Sequence, residues 1–586
     1  MGVSRRARRA LERLLPPARR AALAEERRLA AEAAAERKRL ERVAARRREL
    51  LDSDPATRRI EHRGEEAVGR VVERFTASGA AEHNLSLVVR ALEHAGVDHF
   101  LVPVRTPVRY ALGVHRDDRK RLLDAMRELY GGTALYAARS RAEGVPVTGS
   151  LYADGALPKE VRTSGVIRFG ELLLGPAGQL LGGLEFGCDV EFWQDGAKVL
   201  ESPSAPTRLA RLRVQVPPDI IADSLVAPRR NPVADVLPAG ARKPVTRRVA
   251  GMSLPAFEVF ERPRIDDVDF PIDVVYTWVD GTDPELARKR ESYRPGAARI
   301  SARETGASRY TSHDELKYSL RSLQTYAEFV RHVYVVTDGQ APSWLDPDAP
   351  GLTVVDHTDL FTDPGALPVF NSHAIGTQLH HIDGLSERYL YFNDDVFVGR
   401  PIQPQAFFHG NGIARIPFSP YQYGVGEPHP EEAAPNSAGK NVRELLLDSH
   451  GRFITHKFKH TPHPQLRSVM RELEERFAED VERTSRSRFR ATTDIAMAAS
   501  LHHHYAFLTG RAVAGEFSFC YVDTGLDTAE ERLAKLEAER GFDLFCLNDV
   551  SMDESARERT AERLHRFLEA YFPYPSSFER RSPDAR

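Results

Sequence analysis

Four apolar runs in the second half of this 586-residue chain each stop at a polar or acidic residue. Residues 272–279 end at Asp280-Gly281, residues 332–337 at Asp338-Gly339, residues 352–355 at Asp356, and residues 388–392 at Asn393-Asp394-Asp395. A single Asp-Gly is ordinarily only a turn. The tandem Asp394-Asp395 after an apolar strand is different, because adjacent buried acids repel unless a cation or a basic group lies between them. Carboxylates gathered in this way suit Mg²⁺ or Mn²⁺ bridging a diphosphate. A second cluster runs from Thr455 through His456, Lys457, Phe458, Lys459, His460 and Thr461 to Pro462 and His463, and Arg486, Arg488 and Arg490 follow a helical stretch. His456 and His460 have the spacing of helical metal ligands, but Pro462 and Pro464 oppose a helix and no Cys lies nearby, which argues against zinc. A histidine among lysines has its proton affinity lowered, which suits a general base on an acceptor hydroxyl. The run His502-His503-His504 reads as a surface feature of a helix.

These groups need elements that bring them together. Helical patterns separate several of the apolar runs, which predicts a largely parallel sheet wound with helices. Ligands bind such sheets outside the carboxyl ends of the strands, so Asp280, Asp338 and Asp395 are expected on one edge. The helix after the first run opens Ser312-His313-Asp314-Glu315, where Ser312 and Glu315 fit a capping box. Its Leu316, Leu320 and Leu323 form a core face. Asp314, Lys317 and Arg321 share another face, either solvated or supplying cations to a phosphate.

The rest of the chain divides by composition. Residues 1–60 form a basic Ala/Arg/Glu-rich helical extension, with 16 Lys/Arg against 7 Glu in the first 50 positions. It reads as a solvated helix or coiled coil, or as an arm resting on an anionic membrane surface. No aromatic residues interleave its arginines, which disfavours nucleic acid. Residues 61–228 read as an α/β domain of unassigned role. Its Asp189-Val190-Glu191 fits either a carboxylate pair for a metal or a half-buried strand with exposed acids. Residues 229–265, rich in Pro and Arg, read as a linker, and residues 266–582 hold the acidic runs. Cys188, Cys520 and Cys546 lie too far apart for a disulfide framework, no apolar run is long enough to span a membrane, and no secretory signal is evident. A cytoplasmic protein, in peripheral contact with the inner membrane face through its basic arm, is the expectation.

Taken together, the motifs resemble the Stealth family, which includes bacterial capsular polysaccharide phosphotransferases. Its four blocks occur in order: Ile272–Pro284, about Tyr310 to Pro401, Asn436–Arg490, and Cys546-Leu547-Asn548-Asp549 with the ending Tyr571–Glu579. The resemblance covers roughly 272–579. It implies a Rossmann-like or GT-A-like α/β catalytic domain that moves a hexose-1-phosphate, such as N-acetylhexosamine-1-phosphate, from a UDP- or other nucleotide-linked sugar to a glycan hydroxyl. The products would be a phosphodiester-linked capsular or exopolysaccharide and a nucleoside monophosphate. By motif, Asp395 with Asp394 and Asn548 would hold the divalent ion, His460 would shuttle the acceptor proton, and Arg490 would stabilise the transferring phosphoryl group. Trp278, Asp280 and Gly281 would shape the nucleotide pocket, with Asn393, Glu315 and Arg321 also on the substrate. Gly376 departs from the pattern, since many relatives carry Glu there. The same acidic logic serves a metal-dependent glycosyltransferase that releases nucleoside diphosphate, and a third alternative is a non-catalytic scaffold.

Overall fold

The computed structural model describes residues 16–580, apart from 63, 107, 141–148, 214, 294–313 and 549–556. The chain forms two compact units, Met1–Glu73 with Ala80–Glu261, and Arg74–Gly79 with Arg262–Arg586.

In the first unit, Pro17–Ser53 is one helix of 37 residues. Proline at its first turn fits the fixed φ of that position, and Asp54-Pro55 stops it because the residue before a proline avoids the helical region. Ion pairs at i,i+3 and i,i+4 spacing, such as Arg28 with Glu25 and Glu32, line its exposed surface. Leu50, near its end, is buried against Val68, Tyr136 and Leu184. The main sheet runs through Val236–Pro238, Ser224–Val226, Cys188–Asp195, Val166–Gly170, Tyr136–Arg139 and Ser150–Leu151. Residues 229–265 are not an open linker. They contain the strand Val236–Pro238 and the hairpin Pro244–Val249 with Met252–Phe257, and Val249, Leu254 and Ala256 join the unit's core. Asp189 and Glu191 fit neither sequence reading. Both are buried, with Arg168 and Arg229 on Asp189 and Arg229 on Glu191, so these carboxylates are neither exposed nor free for a metal.

The second unit holds the strands Ile272–Thr277 (β1), Val330–Thr337 (β2), Leu352–Asp356 (β3), Arg388–Asn393 (β4), Val396–Val398 (β5), His463–Leu466 (β6), Phe519–Asp523 (β7) and Leu544–Asn548 (β8). The expected largely parallel sheet is present in the order β3-β2-β1-β4-β6, with only β6 antiparallel. Its parallel strands are largely apolar, and Val274, Val275 and Tyr276 are fully buried. Thr277 pairs with Val336 on one side and Asn393 on the other, and Thr337 pairs with Asp356. The four carboxyl ends therefore share one edge. β5 leaves this sheet and pairs with β8, which runs parallel to β7. Leu316, Leu320 and Leu323 of the helix Glu315–Tyr326 are buried as expected. Among the described residues no helix is long and apolar enough to cross a membrane.

Candidate active site

The turn Asp394-Asp395 carries the chain from β4 into β5, out of one sheet and into another. Pairing of β5 with β8 sets Val396 opposite Cys546, which brings the fourth block beside the turn. The Asp395 Oδ2 accepts from Asn548 Nδ2 at 3.0 Å and from the Cys546 thiol at 3.3 Å. Its Oδ1 lies 3.1 Å from His460 Nε2, and its carbonyl accepts the Leu547 N–H at 3.0 Å. The same Nε2 of His460 lies 3.0 Å from Asn393 Nδ2. That nitrogen thus faces an acceptor when it carries a proton and a donor when it does not. A proton-transferring imidazole needs both.

The charges follow from the packing. Burial and then the charge of Asp395 push the Asp394 carboxyl up to about 7. Burial also opposes ionisation of Asp395, but the charge and hydrogen bond of His460 outweigh it and hold Asp395 below the usual carboxylate range. Burial disfavours the charged His460 ring, yet Asp395 overcomes this and raises it above the ordinary 6.5. The sequence expectation had the opposite sign. The neighbouring lysines do not decide the matter, because the carboxylate at 3.1 Å does.

Beside this turn a cleft opens between Thr277, Trp278, Asp338, His357, Phe370 and Arg490. Arg490 donates from Nη2 to Ser372 Oγ at 2.7 Å. Tyr391 links cleft and turn. Its hydroxyl lies 3.2 Å from Thr277 Oγ1, and burial raises its proton affinity, with Arg490 pulling it down and Asp394 and Asp395 pushing it up. The guanidinium, the imidazole and the paired acids thus surround one edge of the sheet.

Other expected residues stand elsewhere. The Asp280 carboxylate accepts from Thr282 N and Oγ1 at 2.8 and 2.6 Å, so Asp280 and Gly281 shape the loop after Trp278. Arg321 is clamped by the C-terminal segment rather than facing the cleft lining. It is buried, with Nε and Nη2 each 2.8 Å from a Glu579 oxygen, while Nη1 reaches Glu569 and the Phe572 carbonyl. Every branch of its guanidinium is engaged by protein. Ser312 lies outside the described residues, and the helix begins at the buried Glu315 after Asp314 in the left-handed region, φ 61°. His456 lies on the strand His456–Phe458, so the helical His456/His460 pairing does not form. A Cβ on Gly376 would meet Ala498 Cβ at 3.5 Å, so this position faces packed protein. His502, His503 and His504 are buried, contrary to the surface reading, because each ring packs or bonds within the unit.

Sequence reasoning missed Cys546 as a partner of Asp395, since a cysteine in an apolar strand reads as core. It also missed His380 and His381, whose Nε2 atoms lie 2.7 and 2.9 Å from Glu474 Oε2.

The residues present fit a hard divalent cation. Asp394 and Asp395 offer carboxylate oxygens, with the Asn548 amide beside them turning its nitrogen to Asp395, and two adjacent carboxyls, one pushed to about 7, are relieved by positive charge. Cys546 is unsuited as a ligand, because burial and then Asp395 push its thiol well up and it remains a donor to Asp395.

Comparison with known proteins agrees with the motifs. The conserved regions of Stealth proteins match in order, region 1 at residues 270–297, region 2 at 309–416, region 3 at 459–507 and region 4 at 534–586. One curated relative is an exopolysaccharide phosphotransferase of Streptomyces coelicolor, 43% identical over 508 residues, covering 87% of this chain and 84% of the relative. Another is the exopolysaccharide phosphotransferase CpsY of Mycobacterium tuberculosis, 40% identical over 350 residues, covering 60% of this chain and 65% of the relative. Among solved structures, the galactosyltransferase LgtC in complex with donor and acceptor sugar analogs is similar over 51% of this chain and 95% of its own, at 10% identity and a TM-score of 0.28.

Proposed function

The chain belongs to the Stealth family, and from that premise we propose that it transfers a hexose-1-phosphate from a nucleotide-sugar to a glycan hydroxyl. The bond formed joins the acceptor oxygen to the sugar-bearing phosphorus, and the bond broken frees a nucleoside monophosphate. The observation that carries this reading is the meeting of Asp395, His460 and Asn548, from three distant segments, beside a cleft lined by Arg490.

Phosphoryl transfer asks a protein mainly for positioning and for neutralisation of phosphate oxygens. Asp394, Asp395 and Asn548 would hold Mg²⁺ or Mn²⁺, which when bound supplies positive charge to the diphosphate. Trp278 and Phe370 offer the nucleotide an apolar wall that excludes water. Arg490 neutralises charge developing on the transferred phosphoryl group. His460 takes the acceptor proton at Nε2, and Asp395 then stabilises the charged ring.

The test is incubation with a panel of nucleotide-sugars, a glycan acceptor and Mg²⁺ or Mn²⁺, followed by mass analysis of the nucleotide released. Nucleoside monophosphate is expected. Nucleoside diphosphate would instead show glycosyl transfer and overturn the proposal.

A further inference from the structure

We propose that His463 is a positioning residue for the transfer step, locked in one tautomer by a chain of buried imidazoles. The inference rests on the functional reading above, but its geometry stands apart from it.

The chain starts at a backbone group whose role is fixed. The Leu466 N–H donates to His502 Nε2 at 2.9 Å, so that nitrogen carries no proton and a neutral His502 holds its proton on Nδ1. Nδ1 of His502 lies 3.3 Å from Nδ1 of His503, which must then accept and place its own proton on Nε2. Nε2 of His503 lies 2.8 Å from Nδ1 of His463, so His463 in turn carries its proton on Nε2. Reversing any one ring would set two lone pairs or two N–H groups face to face where no water reaches, since His502 and His503 are fully buried and His463 nearly so. The rings also stay neutral. Burial pushes His463 and His502 down to about 3, and His503 well below its ordinary value.

This chain ends at the transfer centre. His463 opens β6, directly opposite Tyr391 in β4, and the two rings lie near parallel at 6.2 Å and 26°. The Tyr391 hydroxyl lies 3.2 Å from Thr277 Oγ1 in the cleft wall. On its other side His463 follows His460 by three residues across buried Thr461 and Pro462. One fixed ring therefore braces both the segment that carries the proton acceptor and the tyrosine behind the cleft. A ring that merely filled space would need no fixed proton.

Two-bond ¹H–¹⁵N spectra of protein labelled in its histidine rings read the tautomers directly. The expected wild-type pattern is Nδ1–H for His502 and Nε2–H for His503 and His463, constant from about pH 6 to 8. His503→Phe keeps a ring but removes the donor to His463. It should mix the His463 tautomers and lower kcat about 10–100-fold, the usual loss when a supporting hydrogen bond is removed, with KM for the nucleotide-sugar within about twofold. His503→Gln returns an amide N–H to His463 Nδ1 and should restore both the spectrum and most of kcat. The proposal is overturned if wild-type His463 carries its proton on Nδ1, if His503→Phe turns over like wild type, or if His503→Gln falls as far as His503→Phe. Should the phenylalanine variant not fold, the wild-type spectrum and the glutamine variant decide. A wild-type protein that releases no nucleoside monophosphate would defeat the functional reading, while the tautomers seen in the spectrum would still decide whether the imidazole chain is locked.

Discussion

Replacing Arg321 with Met separates a structural arginine from a substrate ligand. Arg321 is 5% exposed and Glu579 8%, and they meet through two parallel 2.8 Å hydrogen bonds. Removing the guanidinium leaves the Glu579 carboxylate buried with its main partner gone. Glu569 is 39% exposed and can return to water, so it adds little. Breaking one side of a buried pair costs about 3–5 kcal/mol, because the remaining charge is uncompensated. In a unit of roughly 330 residues, that loss lowers the unfolding midpoint by about 4–7 °C. The assay pairs thermal unfolding with nucleotide release measured well below the transition. Arg321→Met is expected to unfold early yet keep its KM for the nucleotide-sugar, and Glu579→Gln in the same chain should recover much of the stability. An unchanged midpoint with a sharply raised KM would refute this reasoning and return Arg321 to the substrate.

Three shorter expectations follow from the same geometry. His460→Ala should lower kcat about 10²–10⁴-fold with native circular dichroism, as loss of a positioned proton acceptor does, and a loss below tenfold would remove it from that role. Chelation should abolish nucleotide release, Mg²⁺ or Mn²⁺ should restore it, and Asp395→Asn should need more metal for half restoration; metal-independent turnover contradicts the cation reading. Glu474, held down to about 2 chiefly by its hydrogen bonds to His380 and His381 against the opposing effect of burial, gives stability that is full above its unfolded value and lost as pH falls through about 4 to 2. The stability gap between wild type and Glu474→Gln, followed by urea unfolding, should therefore close over that acid range, and a constant gap would show that charge is not its source.

The acidic strand ends were legible because buried parallel strands are near-continuous apolar runs, so the polar or acidic residues that close each one mark the sheet's edge, Asp273 inside the first being an exception. The meeting of Asp395, His460 and Asn548 was legible only through resemblance, since nothing local joins positions so far apart. Other residues misled for a physical reason. Arg321 sits on a helix whose spacing shows its face but not the carboxylates at 569 and 579 that cover it. The run 502–504 looks solvated because histidine is polar, and only the fold supplies the backbone N–H and the imidazole that satisfy two of these rings. The hairpin within 229–265 was hidden because one strand is mostly exposed, Arg247 and Arg248 included, and only Val249, Leu254 and Ala256 are buried to anchor it. His460 reversed its expected shift because sequence neighbours were weighed, whereas the nearest charge, Asp395, comes from the turn between β4 and β5.

The acidic pair is held by its fold at a cost to stability, and that cost can be measured. Phe392, separated from the two-residue turn by Asn393, and Val396, directly after it, are 0% and 1% exposed, so neither carboxylate can swing clear without unseating a strand. The repulsion is therefore imposed, and Asp394 answers it by holding a proton up to about 7. An acid with a raised folded value stabilises relatively below its unfolded value, and that advantage is lost as pH climbs from about 4 towards 7. Metal-free protein at pH 8 thus bears a penalty of about 2–4 kcal/mol from this one group. Asp394→Asn abolishes the charge and keeps the shape. It should raise metal-free stability at pH 8 by about that amount, show little gain at pH 4, and lose metal-dependent transfer. A variant no more stable than wild type at pH 8 would mean that the two acids are not in conflict, and the case for a cation between them would lose its physical basis.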